Sequence, residues 1–83
     1  MNYYKQKLEI AEIRLQIAQK EYELSQIISN LPNFNVEIDD LSAAVCMPEL
    51  LRIDYPNKLI DSLVSIRNDV EVLKLKIFNL ETK

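Results

Sequence analysis

The sequence predicts an all-α chain: a long antiparallel helical hairpin with a partly helical connector, dimerising into a four-helix bundle. Three observations carry that prediction. Residues 2–31 hold two apolar stripes at helical spacing, where a surface helix ordinarily holds one. Residues 57–81 hold an unbroken heptad of aliphatic side chains. Between them, residues 32–56 contain all three prolines and are too many for a simple turn. The expected organisation is a single helical domain over residues 1–83: a helix over about 2–31, a connector with short helices over 32–56, and a helix over about 57–81.

The first helix should begin near Asn2, a fair N-cap, and end near Asn30 and Leu31, because Pro32 cannot continue it. Its interior has neither Gly nor Pro and is rich in Leu, Gln, Glu, Lys and Ala, which favour helix. Leu8, Ala11, Leu15, Ala18 and Tyr22 fall on one face; Ile10, Ile13, Ile17, Leu24, Ile27 and Leu31 fall on the nearly opposite one. The bulky Ile/Leu stripe, broken only by Lys20, suits the seam to the chain's own second helix. The other stripe alternates large and small residues from Tyr4 through Leu8, Ala11, Leu15, Ala18 and Tyr22 to Ser25, which lets two backbones approach closely. Tyr4, Leu8, Ala11, Leu15, Ala18 and Tyr22 are therefore the predicted self-association residues. The competing arrangement is a compact monomer in which the connector covers the second stripe.

In the connector, residues 33–38 alternate polar and apolar as a short extended segment would. Asp39 or Asp40 can cap a short helix from Leu41 to Cys46, and Pro48 suits the first turn of another from Glu49 to Ile53. Asp54, Tyr55, Pro56 and Asn57 read as a turn, with Asp54 or Asn57 as the cap of the last helix. That helix runs from Asn57 with Leu59, Leu63, Ile66, Val70, Leu73, Ile77 and Leu80 spaced alternately four and three apart. Ile60, Val64, Leu75 and Phe78 form a weaker second stripe, broken by Asn68 and Glu71. Residues 73–77 also alternate like a strand, but the continuous heptad favours helix.

Composition narrows the function. The 83 residues lack Gly and His and hold one Cys. Without Gly the phosphate-cradling loops are excluded as standard motifs, and without His there is no Ser–His or Cys–His pair. One Cys cannot build a structural zinc site or an intrachain disulfide. The expectation is a non-enzyme with no cofactor, no metal and no catalytic residue. Cys46, in a small apolar run, is expected to be a buried, unreactive thiol. No apolar run is long enough to span a membrane and no apolar signal-type stretch follows Met1, so the expected location is intracellular, in the cytoplasm. The formal charge of −3 is concentrated in residues 32–58, where Glu37, Asp39, Asp40, Glu49 and Asp54 face only Arg52 and Lys58. That is not the footprint of a nucleic-acid binder.

The aromatic and acidic residues of the connector fit a surface for a protein partner, one with a basic face. Phe34, Glu37, Asp39, Asp40, Met47 and Tyr55 are its predicted contact residues. Glu37, Asp39 and Asp40 could in principle gather a divalent cation, but capping and solvation explain them better. The functional expectation is a self-associating protein–protein interaction module. One alternative is a small acidic inhibitor of a nucleic-acid-processing or defence protein, encoded by a phage or mobile element; the richness in Ile, Asn and Lys fits an AT-rich source of that kind. The other is a structural or chaperone-like subunit of a larger assembly.

Overall fold

A computed structural model describes residues 3–82. Helix α1 spans Tyr3–Ser29, α2 spans Ile38–Cys46, a 3-10 helix spans Pro48–Ile53, and α3 spans Asn57–Glu81; there is no strand among the described residues. The N-cap expected at Asn2 lies outside them. Helices α1 and α3 pack along each other as the two arms of the hairpin. The cross-arm ion pairs give the register: Arg14 to Glu81 at 3.4 Å, Glu21 to Lys74 at 3.8 Å and Lys20 to Asp69 at 3.7 Å. All are exposed pairs worth at most about 1 kcal/mol, so they report the register more than they create it. Lys20, the interruption in the Ile/Leu stripe, is half-buried and pairs its ammonium with Asp69.

The seam is the one the heptad predicts from Leu63 onward; at its start Ile60, of the weaker second stripe, is fully buried and Leu59 only half-buried. Ile13, Leu24, Leu63, Val70 and Leu73 are buried, and Ile10, Ile17, Ile66, Ile77 and Leu80 are half-buried between the arms. The stripe reading selects Ile27 near the turn, but Ile28 is the residue fully removed from water while Ile27 is half-buried. The reason is that α2 and the 3-10 helix fold back on one flank of the hairpin, so the core there widens toward the side on which Ile28 lies. Leu24, Ile28, Ala44, Leu51, Ile60 and Leu63 form its buried centre, with Phe34, Leu41, Val45 and Tyr55 packed around it.

Local chemistry shapes the connector. The amide of Asn30 donates to the Gln26 and Ile27 carbonyls, and that of Leu31 to Ile28, so α1 tightens in its last turn before Pro32 stops it. Asn33 has φ of 61°, the left-handed region that Asn tolerates better than other non-Gly residues. In a chain without Gly, this Asn makes the reversal, so the extended stretch begins at Phe34. Helix α2 then starts three residues earlier than expected. Glu37 occupies its N-cap without a side-chain bond, and Asp39 and Asp40 lie in the first turn, where they oppose the helix dipole. The second short helix is 3-10, with Pro48 in its first turn. Neither Asp54 nor Asn57 caps α3; Pro56 stands at its N-cap, again with no side-chain bond. Cys46 is exposed, not buried, because α2 turns Ala44 inward and leaves its last residue facing out.

The molecule is long and thin, 52 × 20 × 16 Å, with a radius of gyration of 15.2 Å. A compact chain of this length would have a radius near 12 Å. A two-helix arm section is one side chain deep, and this thinness is what leaves apolar surface uncovered.

Candidate interaction surfaces

The outer face of α1 is bare. Tyr4 is 84% exposed, Leu8 61%, Leu15 59% and Tyr22 65%, and Ala11 and Ala18 between them are exposed as well. The connector does not reach them; it sits on the adjacent flank near the turn, where Ser25 and Ser29 are half-buried. The compact-monomer arrangement is thus not the one the chain adopts. The six residues form one continuous ridge of roughly 27 Å, at 1.5 Å per residue over 18 residues. Tyr3 and Tyr4 meet edge-to-face at 5.6 Å, and the Lys7 ammonium lies 5.0 Å above the Tyr3 ring. Beside the ridge, an open groove of about 690 Å³ is lined by Tyr4, Lys7, Leu8, Ile10, Ala11, Arg14 and Glu81.

The connector is held firmly. Arg67 on α3 grips Glu49 with both arms of its guanidinium, Nη2 to Oε2 at 2.6 Å and Nη1 to Oε1 at 3.1 Å, and Nη1 also donates to the Cys46 carbonyl. The bidentate bond lowers the Glu49 pKa and raises that of Arg67. Arg52 reaches Asp61 at 2.8 Å, and the Tyr55 hydroxyl donates to the Pro32 carbonyl at 2.7 Å. These ties anchor each short helix to an arm of the hairpin.

Of the predicted partner residues, Glu37, Asp39, Asp40 and Met47 are exposed. Phe34 and Tyr55 are half-buried against the core, and each serves the fold as well as the surface. Phe34 and Asp40 share a shallow hollow of about 230 Å³ with Asn35, Ala43 and Leu50. Sequence reasoning missed the larger apolar content of this surface. Val36 is 55% exposed, Ile38 82%, Leu50 56% and Ile53 92%. The alternation over residues 33–38 contains the first two, but nothing in the sequence marks which face of each short helix is turned outward.

No three Asp, Glu or Cys side chains gather to hold a metal ion among the described residues. No helix among them is long and apolar enough to cross a membrane. No family model, curated protein or solved structure matches the chain.

Proposed function

We propose that the chain is a non-enzymatic helical protein-interaction module that pairs with a second copy through the outer face of α1 and presents its connector to another macromolecule. The observation that carries the reading is the bare ridge from Tyr4 to Tyr22. The exposure of the whole chain is in keeping with association: it exposes 6105 Å², whereas a monomer of 9.7 kDa exposes about 5,100 Å². The surplus, on the order of 1,000 Å², is close to the roughly 800 Å² that each partner gives to a standard interface. Two hairpins joined in this way bring four helices together in the order α3, α1, the partner's α1 and the partner's α3, with the connectors on the outside.

The test is Ala11→Glu. A charge placed in a close-packed seam has no partner and no water. The expected result is loss of the dimer in sedimentation with the helical circular dichroism unchanged; a native chain that is monomeric at tens of micromolar rules the reading out. The connector's exposed Ile38, Met47, Leu50 and Ile53 beside Asp39 and Asp40 support a partner with a basic, partly apolar face. The same surface supports the alternative of an acidic inhibitor that covers a basic groove. That alternative requires the double change Asp39→Asn and Asp40→Asn to weaken inhibition.

A further inference from the structure

Self-association through α1 leaves direction and register open. Resting on that reading, the geometry points to an antiparallel α1–α1 contact whose two-fold axis passes between Gln16 and Ile17. In it Leu15 faces the partner's Ala18, Ala11 faces the partner's Tyr22, Leu8 faces the partner's Ser25, and Tyr4 faces the partner's Ser29. The axis then falls at the middle of Tyr3–Ser29, so the helix overlaps its copy along its whole length.

Side-chain size selects the direction. The ridge alternates large and small residues, so a parallel in-register pair stacks Leu15 on Leu15 and Ala11 on Ala11. Thick and thin layers would then alternate, yet two helices keep one separation of about 8–10 Å. The antiparallel pairing sets a large residue against a small one in every layer. Ser25 suits burial there because its hydroxyl already donates to the Tyr22 carbonyl at 2.8 Å.

Charge selects the register. Arg14 and Glu21 lie on one flank of the ridge, and the pairing brings Arg14 beside the partner's Glu21 twice over. Each is already paired within its own chain, Arg14 with Glu81 and Glu21 with Lys74. The contact therefore joins them into a row of alternating sign: Lys74, Glu21, the partner's Arg14, the partner's Glu81. Sliding by one heptad also matches sizes at Leu8 and Leu15. It sets Arg14 against the partner's Arg14 and Glu12 against the partner's Glu12, and stacks Tyr4 on the partner's Tyr22. The parallel arrangement has an attractive pair, Lys7 with the partner's Glu12, and fails on layer thickness.

The groove supplies the third observation. Tyr4, Lys7, Leu8 and Ala11 form a four-residue diamond on the ridge side of the groove of about 690 Å³, which Ile10 and Glu81 close on the side of α3. Such diamonds are the holes into which a facing helix sets its knobs. In this register that diamond is centred on Leu8 and faces the partner's Ser25.

Cross-linking tests this on the full chain with Cys46→Ser to remove the exposed thiol. Leu8→Cys and Ser25→Cys chains, mixed and mildly oxidised, are expected to form the mixed disulfide dimer. Neither should cross-link alone: position 8 lies about 25 Å along the axis from its own copy, far beyond disulfide reach. Self-cross-linking of Leu8→Cys would overturn the direction, and cross-linking to Ala18→Cys in preference to Ser25→Cys would overturn the register. Sedimentation separates the two levels. A dimeric Cys46→Ser chain without the mixed disulfide overturns this arrangement alone, whereas a monomeric one overturns self-association itself. Arg14→Glu should weaken the dimer about tenfold. Adding Glu21→Arg should restore it even though that double swap opposes both intrachain pairs; no recovery contradicts the register.

Discussion

The two ends of the hairpin solve the same problem differently. At the turn, three further pieces of chain cover the arms: the segment after α1, α2 and the 3-10 helix. Leu24, Ile28, Ile60 and Leu63 are consequently almost completely buried there. At the open end only α1 and α3 face each other. Ile10, Ile77 and Leu80 remain half-buried, and Tyr4, Leu8, Leu75 and Phe78 are exposed. The polar ties show the same division. The connector end has the Arg67 grip on Glu49, the Arg52–Asp61 pair and the Tyr55 bond to Pro32. The open end has the weak Arg14–Glu81 pair and a bond from the Gln6 side-chain amide to the Leu80 carbonyl. One end is a finished small core. The other is half of one.

Truncation should expose that difference most strongly. Ile60→Ala, at a fully buried position, is expected to cost about 2–5 kcal/mol in urea denaturation. Ile77→Ala, half-buried at the open end, is expected to cost about 1 kcal/mol, since only part of its side chain leaves water on folding. Equal losses would contradict the contrast. Next in size is the backbone reversal that sets the connector on the core. Asn33→Ala should cost roughly 1 kcal/mol because Ala keeps the Cβ that φ of 61° crowds but lacks the short polar side chain that lets Asn adopt that region, whereas Asn33→Gly, which removes the Cβ, should not; thermal melts of the two test this.

A smaller effect carries a pH signature. The Glu49 carboxyl is held below the usual carboxylate range by Arg67. A depressed carboxylate stabilises the fold fully above its unfolded pKa and loses that contribution as pH falls through the folded one. Glu49→Gln should therefore lower the melting temperature at neutral pH, and the gap to the native chain should close in acid, below the ordinary carboxylate pKa of about 4.3. A gap that stays constant with pH would mean the pair contributes shape and not charge. Smallest of all, Ile53→Ser should change stability by less than about 0.5 kcal/mol, because that side chain is 92% exposed. An effect above that would mean Ile53 is covered in solution.

The arms were legible because period is a local property. Every third or fourth residue of α3 from Leu59 to Leu80 repeats the same message, and no single error can mislead. The connector depends on individual positions. The left-handed turn at Asn33 and the start of α2 at Ile38 each hang on one residue whose alternatives differ by about 1 kcal/mol, and the outward turn of Cys46 follows from which face α2 lays on the core. The choice between Ile27 and Ile28 is set by where the connector lands, which helical spacing does not encode. The Arg67–Glu49 grip joins residues 18 apart across two elements, and neither residue is unusual in its own neighbourhood. The bare ridge on α1 was readable because its alternation of large and small residues is also periodic. What the ridge meets is a property of two molecules.

Self-association of that ridge is the central claim, and light scattering on the native chain at tens of micromolar is its most direct test. A mass near twice 9.7 kDa is the predicted result, falling to 9.7 kDa for Ala11→Glu with the helical signal retained. A native chain that scatters as a 9.7 kDa monomer would mean that the ridge from Tyr4 to Tyr22 is not a self-association face.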